Sequence, residues 1–377
     1  MKIYNIIILI LSLVAVAIAI YICVAATQNR GEPFSTPPPL TQADFFEKLY
    51  NNYMNQEWPI ESSISHTPPL LNVAFPDDSI VYYVASFNSA DTVTLSGKIP
   101  PNIYFWSLTL YDTDGLPTKS WNYTLFPDSS YSVILGPNNN IPPSGAYCVI
   151  QRVYKTSSTP KLFPDFVPNI SIATSSVVPV AATQRISNSN DTQNLLWNLF
   201  QKQFGSTTPN QLFPSINVNE FFLPGTQQMA SVFPNPFAQY LVVFPTTNQV
   251  IKVVGTLPNP IGFNEPVLFI SYMASNMNHT STDDSISFNE LPTNYTLYAA
   301  FSKESAAQFG YNPSTDKLLL WSSTNTYPVL IYREVSVASD KATQSLALFT
   351  QNNQVASVSG QVISSAMGPF YPVATAF

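Results

Sequence analysis

The side chains best suited to chemistry lie in a few short stretches. Asp77-Asp78, Asp112-x-Asp114-Gly115 and Asp283-Asp284 are the local acidic pairs. Two carboxylates brought to one cleft could serve as the acid and base of a glycosidase, but that depends on their separation in space, and nothing else in the sequence points to it. Asp112-x-Asp114-Gly115 opens like a calcium loop; the further oxygen ligands and the closing Glu are missing, so a plain hairpin turn is the simpler reading. His66, in "ISHTPPL", and His279, in "NMNHTST", lie in polar, loop-like surroundings and read as surface residues. A serine hydrolase would need one of them as its base, and no G-x-S-x-G elbow is present. No Cys/His zinc spacing and no HExxH occurs. The 12 glycines form neither a G-x-G-x-x-G turn nor a P-loop. The expectation is a protein that is not an enzyme, with no catalytic, cofactor-binding or metal-binding residues and no cofactor.

The elements that would have to position such residues are mainly β. Of 377 residues only 10% are charged, 45% are hydrophobic and 33 are proline, the opposite of the balance that keeps chains disordered. Prolines among aromatic and β-branched residues imply short strands joined by irregular turns. The net charge is −7, and the 15 Lys and Arg are scattered, so no cationic footprint for nucleic acid exists. Cys23 lies in an apolar run and Cys148 in a predicted strand, so no disulfide between them is expected, which favours assembly in a reducing compartment. Asn122, Asn169, Asn190, Asn278 and Asn294 head N-x-S/T sequons, as a chain rich in Asn, Ser and Thr produces by composition.

Residues 1–26 read as a membrane anchor. Ile6–Ala26 has 21 residues and no charge, enough for a helix to cross the ~30 Å core of a bilayer. A cleaved signal peptide ending at Val24-Ala25-Ala26 is the rival, but the apolar run exceeds the ~7–15 residues usual for one, so retention is expected. Lys2 on one side and Arg30 on the other leave the orientation open. Residues 27–40, with three consecutive prolines, form a semi-rigid spacer.

The rest repeats itself. Phe75–Pro100 aligns with Phe233–Pro258 without a gap, with Phe75/Phe233, Pro76/Pro234, Tyr82/Tyr240, Val84/Val242, Gly97/Gly255 and Pro100/Pro258 identical. Upstream, Asp44–Met54 matches Asn194–Phe204, each with one apolar stripe of helical spacing; Thr41 and Asp191 suit N-caps, and Gly205 suits the position after the second helix. Downstream, "AYCVIQRVYK" resembles "YPVLIYREVS" when Arg152 is set on Arg333. These blocks define a first helix-plus-sandwich unit over 41–155, a linker with a strand-like stretch over 156–190, and a second unit over 191–336. In "FWSLTLYD", Trp106, Leu108 and Leu110 alternate with Ser107, Thr109 and Tyr111, as in a strand with one buried face. "PVLFISYM" in the second unit can be paired one residue either way, so its register stays open. In 337–377, "SLALFT" and "VASVSGQVISSA" read as two more strands, which either complete the second sandwich or cross back to the first. The 20 Tyr and 25 Phe exceed what two modest cores need; surfaces buried on partners, with "GPFYPVATAF" as a docking peptide, and thicker cores explain the surplus equally well.

Phe105–Gly115 ("FWSLTLYDTDG") and Arg152–Tyr154, at either end of the best-matching stretch Tyr104–Lys155, resemble the paired β-sandwich families of unknown function numbered 1254/1214, found in bacteria and large algal viruses. The second unit lacks both the Trp and the Asp-Gly turn, and the family supplies no catalytic residues. Anchor, proline spacer, Asn/Thr-rich β domains and few charges together look like a structural protein of a large DNA virus such as a chlorovirus. That resemblance implies an N-terminal transmembrane helix followed by two tandem jelly-roll-like sandwiches. It also implies a single-pass minor capsid protein in the virion's internal membrane, facing the capsid: Ile6–Ala26 in the bilayer, sandwich surfaces on capsid proteins. A membrane-tethered envelope module binding a glycan or protein ligand is the alternative, and an enzyme the third reading.

Overall fold

A computed structural model describes residues 77, 79–88, 92–111, 117–136, 146–156, 166, 168–173, 217–224, 235–245, 249–259, 261–262, 265, 267–276, 281–325, 327–336, 346 and 357–377. Contacts divide the chain at Leu40, and every described residue belongs to Thr41–Phe377. Ile6–Ala26, the proline spacer and both amphipathic-helix stretches lie outside the described residues. Among those described, no helix is long and apolar enough to cross a membrane.

The described part is mainly β and sandwich-like. The first half holds β1 (Ile80–Asn88), β2 (Thr92–Lys98), β3 (Ile103–Tyr111), β4 (Pro117–Asn122), β5 (Ser130–Leu135), β6 (Ala146–Lys155) and β7 (Asn169–Ala173). They form a sheet of order β1-β6-β3-β4 and one of order β5-β2-β7. The second half holds β8 (Ala238–Val243), β9 (Ile251–Thr256), β10 (Val267–Asn276), β11 (Ser281–Ser287), β12 (Asn294–Ala300), α1 (Lys303–Gln308), β13 (Lys317–Leu320), β14 (Pro328–Ser336), α2 (Gly360–Met367) and β15 (Val373–Ala376). Its sheets run β8-β14-β10-β11 and β13-β12-β9-β15. Strand for strand the two orders are the same, with β13 added at one edge, parallel to β12.

The register left open in β10 is fixed by its neighbours. Ser107 lies opposite Arg152, which lies opposite Tyr82; Ser271 lies opposite Arg333, which lies opposite Tyr240. Ser271 is therefore the counterpart of Ser107, and Phe269 that of Phe105.

The outer sheets keep the period of a half-buried strand. In "SYSVIL" of β5, Tyr131, Val133 and Leu135 point inward and Ser130, Ser132 and Ile134 outward. Val93, Leu95, Tyr131, Val133 and Leu135 pack on Trp106, Leu108, Leu110, Val149 and Val153 in the first core, each aliphatic side chain contributing about 1.5–3 kcal/mol by leaving water. The middle sheets differ from the expectation. Ser107, Thr109 and Tyr111 of β3 are as buried as Trp106 and Leu108, and every residue of β10 and β14 is buried. The reason is a second layer of packing: the sheets holding β3 and β10 lie back to back. Ile80, Phe105 and Tyr154 of the first half join the second half's core. Phe105 meets Phe237 at 5.4 Å between ring centroids, and Tyr154 meets Phe269 at 5.0 Å. The buried tyrosines are shared among all the cores: Tyr111 and Tyr154 lie in this layer, Tyr83 in the first half's own core, Tyr272 and Tyr332 in the second half's, and Tyr298 against Ala306 of α1.

Both halves turn the repeated glycine corner in the same way. A side-chain carbon on Gly97 would stand 2.8 Å from the Tyr131 hydroxyl, and one on Gly255 would collide with the Tyr295 hydroxyl. The rings of β5 and β12 lie across the glycines of β2 and β9, and a side chain at either position would have to displace the ring. Beyond the corner, the Ile99 amide bonds to Ser129 and the Leu257 amide to Thr293.

Of the two C-terminal strand readings, "SLALFT" lies outside the described residues except for Leu346, and "VASVSGQVISSA" keeps one β-bridge, at Val358, before turning helical. "VISSA" lies in helix α2, which buries Ile363 and Met367, while β15 pairs antiparallel with β9 as β7 does with β2. "GPFYPVATAF" thus packs on its own chain: the Tyr371 hydroxyl donates to the Phe221 carbonyl (2.7 Å), and Phe377 stacks on Phe309.

Candidate functional site

Two places gather polar groups or open space in a way the strands alone do not require. One is the layer between the back-to-back sheets. Arg152 and Arg333 project into it from the middle strands and are 6% and 4% exposed. A guanidinium this deep is tolerated only with partners. Arg333 Nη1 donates to Asp77 Oδ2 at 3.4 Å and to the Tyr82 hydroxyl at 3.3 Å, and its guanidinium lies over the Tyr240 ring at 5.3 Å. Arg152 lies over the Tyr82 and Tyr111 rings at 5.9 and 5.7 Å. Such cation–π contacts strengthen when desolvated. The small Ser107 and Ser271 opposite the arginines leave room for them, and neither hydroxyl has a hydrogen-bond partner among the described residues.

The ends of this layer are clasped reciprocally. Asp77 and Asn235 are counterparts, each accepting from the amide two residues on, Ser79 at 2.9 Å and Phe237 at 3.2 Å. Asp77 reaches across to Arg333 of the second half. Asn235 reaches across to the first half, donating from Nδ2 to the Tyr154 hydroxyl at 2.8 Å. The counterparts Asp77 and Asn235 each cross to the other half, but onto different partners: the counterpart of Arg333 is Arg152, and that of Tyr154 is Val335.

Electrostatics follow from burial. Burial opposes the charge on Arg333, but the oxygens of Tyr82, Tyr240, Asp77 and Tyr154 outweigh it and hold its pKa well above the usual guanidinium value. Burial pushes the Tyr111 hydroxyl up to about 12 against the lowering pull of Arg152. Burial likewise raises Tyr82 and Tyr154. The layer keeps its arginines charged and Tyr82, Tyr111 and Tyr154 protonated at ordinary pH.

The second place is a groove of about 700 Å³ at the glycine-proline corner of the first half. Pro100, Pro101, Tyr104, Tyr123, Phe126 and Pro127 supply its apolar walls. Asn102, Thr124, Ser129 and Thr156 supply the polar atoms, and no lining residue carries a charge. Asn102 (φ 56°) and Ser129 (φ 54°) both hold left-handed backbone at its rim, an arrangement that costs non-glycine residues about 1–3 kcal/mol and clusters at working sites.

The acidic pairs serve structure where they are described. Asp77 is the inter-sheet partner of Arg333. Asp283 accepts from the Ser322 amide and Asn325 Nδ2, and Asp284 accepts from the Leu320 amide; together they pin the β13 segment. Asp78, Asp112, Asp114, His66, His279 and Cys23 lie outside the described residues, as do sequons Asn190 and Asn278. Among the described residues no group of three metal-ligating side chains assembles. Asn122 caps a 3-10 turn, and its side chain accepts from Thr124. Sequence reasoning aligned Arg152 with Arg333 but missed that they face the second layer; the signal was the run of Ser, Arg and Tyr at inward-facing spacing in strands with no polar face.

No protein-family model and no curated protein matches the chain. Among solved structures it is similar to an uncharacterised protein from Burkholderia cenocepacia, with 12% identity, a TM-score of 0.53, and 90% of this chain and 87% of that one covered. That likeness shows the fold. A protein from Vibrio parahaemolyticus aligns at 10% identity and a TM-score of 0.40 over 80% of this chain and 93% of that one.

Proposed function

We propose that the chain is a non-enzymatic, membrane-anchored structural protein. In this reading it carries two tandem jelly-roll-like sandwiches of the unknown-function family type that Phe105–Gly115 resembles. Ile6–Ala26 holds a lipid bilayer, residues 27–40 set the standoff, and the sandwich body meets a protein shell, as a virion's minor capsid protein does. One observation supports it above the others: the reciprocal clasp of Asp77 on Arg333 and Asn235 on Tyr154 locks two sheets into one stiff body, which suits a strut. The test is extraction from purified virions. A stoichiometric component that resists high salt and leaves with detergent is expected; absence from the particles overturns the reading. The groove favours a second reading, a tethered module of a cell envelope that binds a glycan or protein ligand.

A further inference from the structure

We propose that the groove beside Pro100 and Pro101 is a docking pocket for an aromatic side chain, tyrosine or phenylalanine, presented by a neighbouring protein. The molecule contains its own precedent. Tyr123 and Phe288 are counterparts: each follows the cap of a 3-10 turn, Asn122 or Ser287, and those caps lie opposite Ser107 and Ser271. Thr124 and Asn289 are then counterparts as well. In the second half this corner is occupied. Tyr104 of the first half packs edge-on against Phe288 at 4.7 Å between centroids, lies near Gly262, and donates its hydroxyl to Asn289 Oδ1. In the first half the same corner keeps the aromatic ring, Tyr123, and has Phe126 where the second half has Leu291; the Thr124 hydroxyl, which donates to Asn122 and can still accept, stands where Asn289 receives the tyrosine, yet the corner stands open as the groove. An uncharged ring with one polar end fits both the walls and the absence of charge in the lining. Aromatic anchors seated in preformed pockets dominate protein–protein contacts.

The inference borrows from the structural reading only the nature of the neighbour, a protein, and its test does not use virions. The full chain in lipid nanodiscs is titrated with p-cresol, the tyrosine side-chain analogue, by saturation-transfer NMR. 4-Methylcyclohexanol and cellotriose are run alongside. A Kd of about 1–10 mM for p-cresol is expected for so small a ligand. At least tenfold weaker binding is expected in Thr124→Trp, which fills the groove from an exposed position; Pro127→Trp, at another exposed lining position, repeats the test should that variant misfold. Equal binding of 4-methylcyclohexanol, preference for cellotriose, or p-cresol binding unchanged in both variants overturns the proposal. Binding as expected in a protein absent from virions would leave the pocket standing and remove the virion reading.

Discussion

The two halves share one wiring diagram and differ in what they bury. In the first, the tyrosine lying over the corner glycine, Tyr131, donates to Gln151 at 2.6 Å. In the second its counterpart Tyr295 is bonded to Tyr272, beside Tyr332, whose hydroxyl donates to the buried Glu334. The second half also adds α1, capped by Ser302 and set on Tyr298 and Ala300, and the edge strand β13. The corner in the first half stays open while that in the second is plugged. A duplicated frame thus keeps its backbone rules, the glycine and the inter-sheet arginine, and lets each copy settle its own polar partners. Which contacts are rules and which are local solutions is testable by changing the same position in both copies.

The largest contrast is expected at the counterparts Asp77 and Asn235. Asp77→Asn makes the two copies chemically alike, but it leaves Arg333 charged and buried without its carboxylate. Removing one partner of a buried pair costs about 3–5 kcal/mol. Asn235→Ala loses a neutral bond to Tyr154 and a turn contact, worth about 1–3 kcal/mol. Urea unfolding of both variants measures the gap. Equal losses would mean that the charge at Asp77 adds nothing to the clasp.

The corner glycines come next. Gly97→Ala meets the far end of the Tyr131 ring, while Gly255→Ala runs into both the hydroxyl and the ring carbon of Tyr295. Overpacking of this kind costs about 1–3 kcal/mol, with Gly255→Ala the more severe. Tyr131→Phe removes the hydroxyl contact but also the bond to Gln151, so the two changes are read as a double-mutant cycle: Gly97→Ala should cost less in the Tyr131→Phe background than in the native chain. Equal costs in the two backgrounds would mean that the hydroxyl does not set the glycine requirement.

Much of this frame was legible in advance, and the limits have a physical cause. Gly97 and Gly255 aligned because a ring lying on the backbone disfavours any side chain there, and Arg152 aligned with Arg333 because a buried guanidinium has few substitutes. The register of "PVLFISYM" was not legible: a strand buried on both faces has no polar alternation to read. For the same reason β3 looked half-buried, since Ser107, Thr109 and Tyr111 meet a second sheet instead of water. Helix α2 was misread because "VASVSGQVISSA" is rich in β-branched and small residues, while its buried residues Ile363 and Met367 stand four apart, on one helical face. The groove had no signal of its own, because it depends on a corner that Tyr104 plugs in one half only.

A smaller effect separates the halves by pH. Tyr111 holds its proton to about pH 12 in the folded chain and gives it up near 10 when unfolded. Its contribution is therefore complete below pH 10 and is lost as pH rises through 12, because the folded state binds more protons across that window. Ser275, the β10 residue opposite Val329 as Tyr111 is opposite Cys148, has no such proton. Tyr111→Phe should make the fall in stability between pH 10 and 12 shallower by up to one proton, and Ser275→Ala should not; identical slopes in the two variants would locate the alkaline sensitivity elsewhere.

The smallest effect concerns what the second half adds. Asp284 accepts from the Leu320 amide at 3.0 Å and from the Ser285 amide at 2.9 Å, tying β11 to the end of β13. Both bonds are near the surface, where each contributes about 0.5–1.5 kcal/mol. β13 sits at the sheet edge and pairs with β12 over Lys317–Leu320 only, so it can open without the rest of the fold. Asp284→Ala should raise amide exchange along β13 by about tenfold, the rate change that ~1.4 kcal/mol of local opening produces. Exchange in β9 and β12 should hold, because their pairing to each other and to β15 is untouched. If β9 accelerates with β13, the added strand is not an appendage but part of the cooperative core, and the two halves differ in their frame as well as in their fillings.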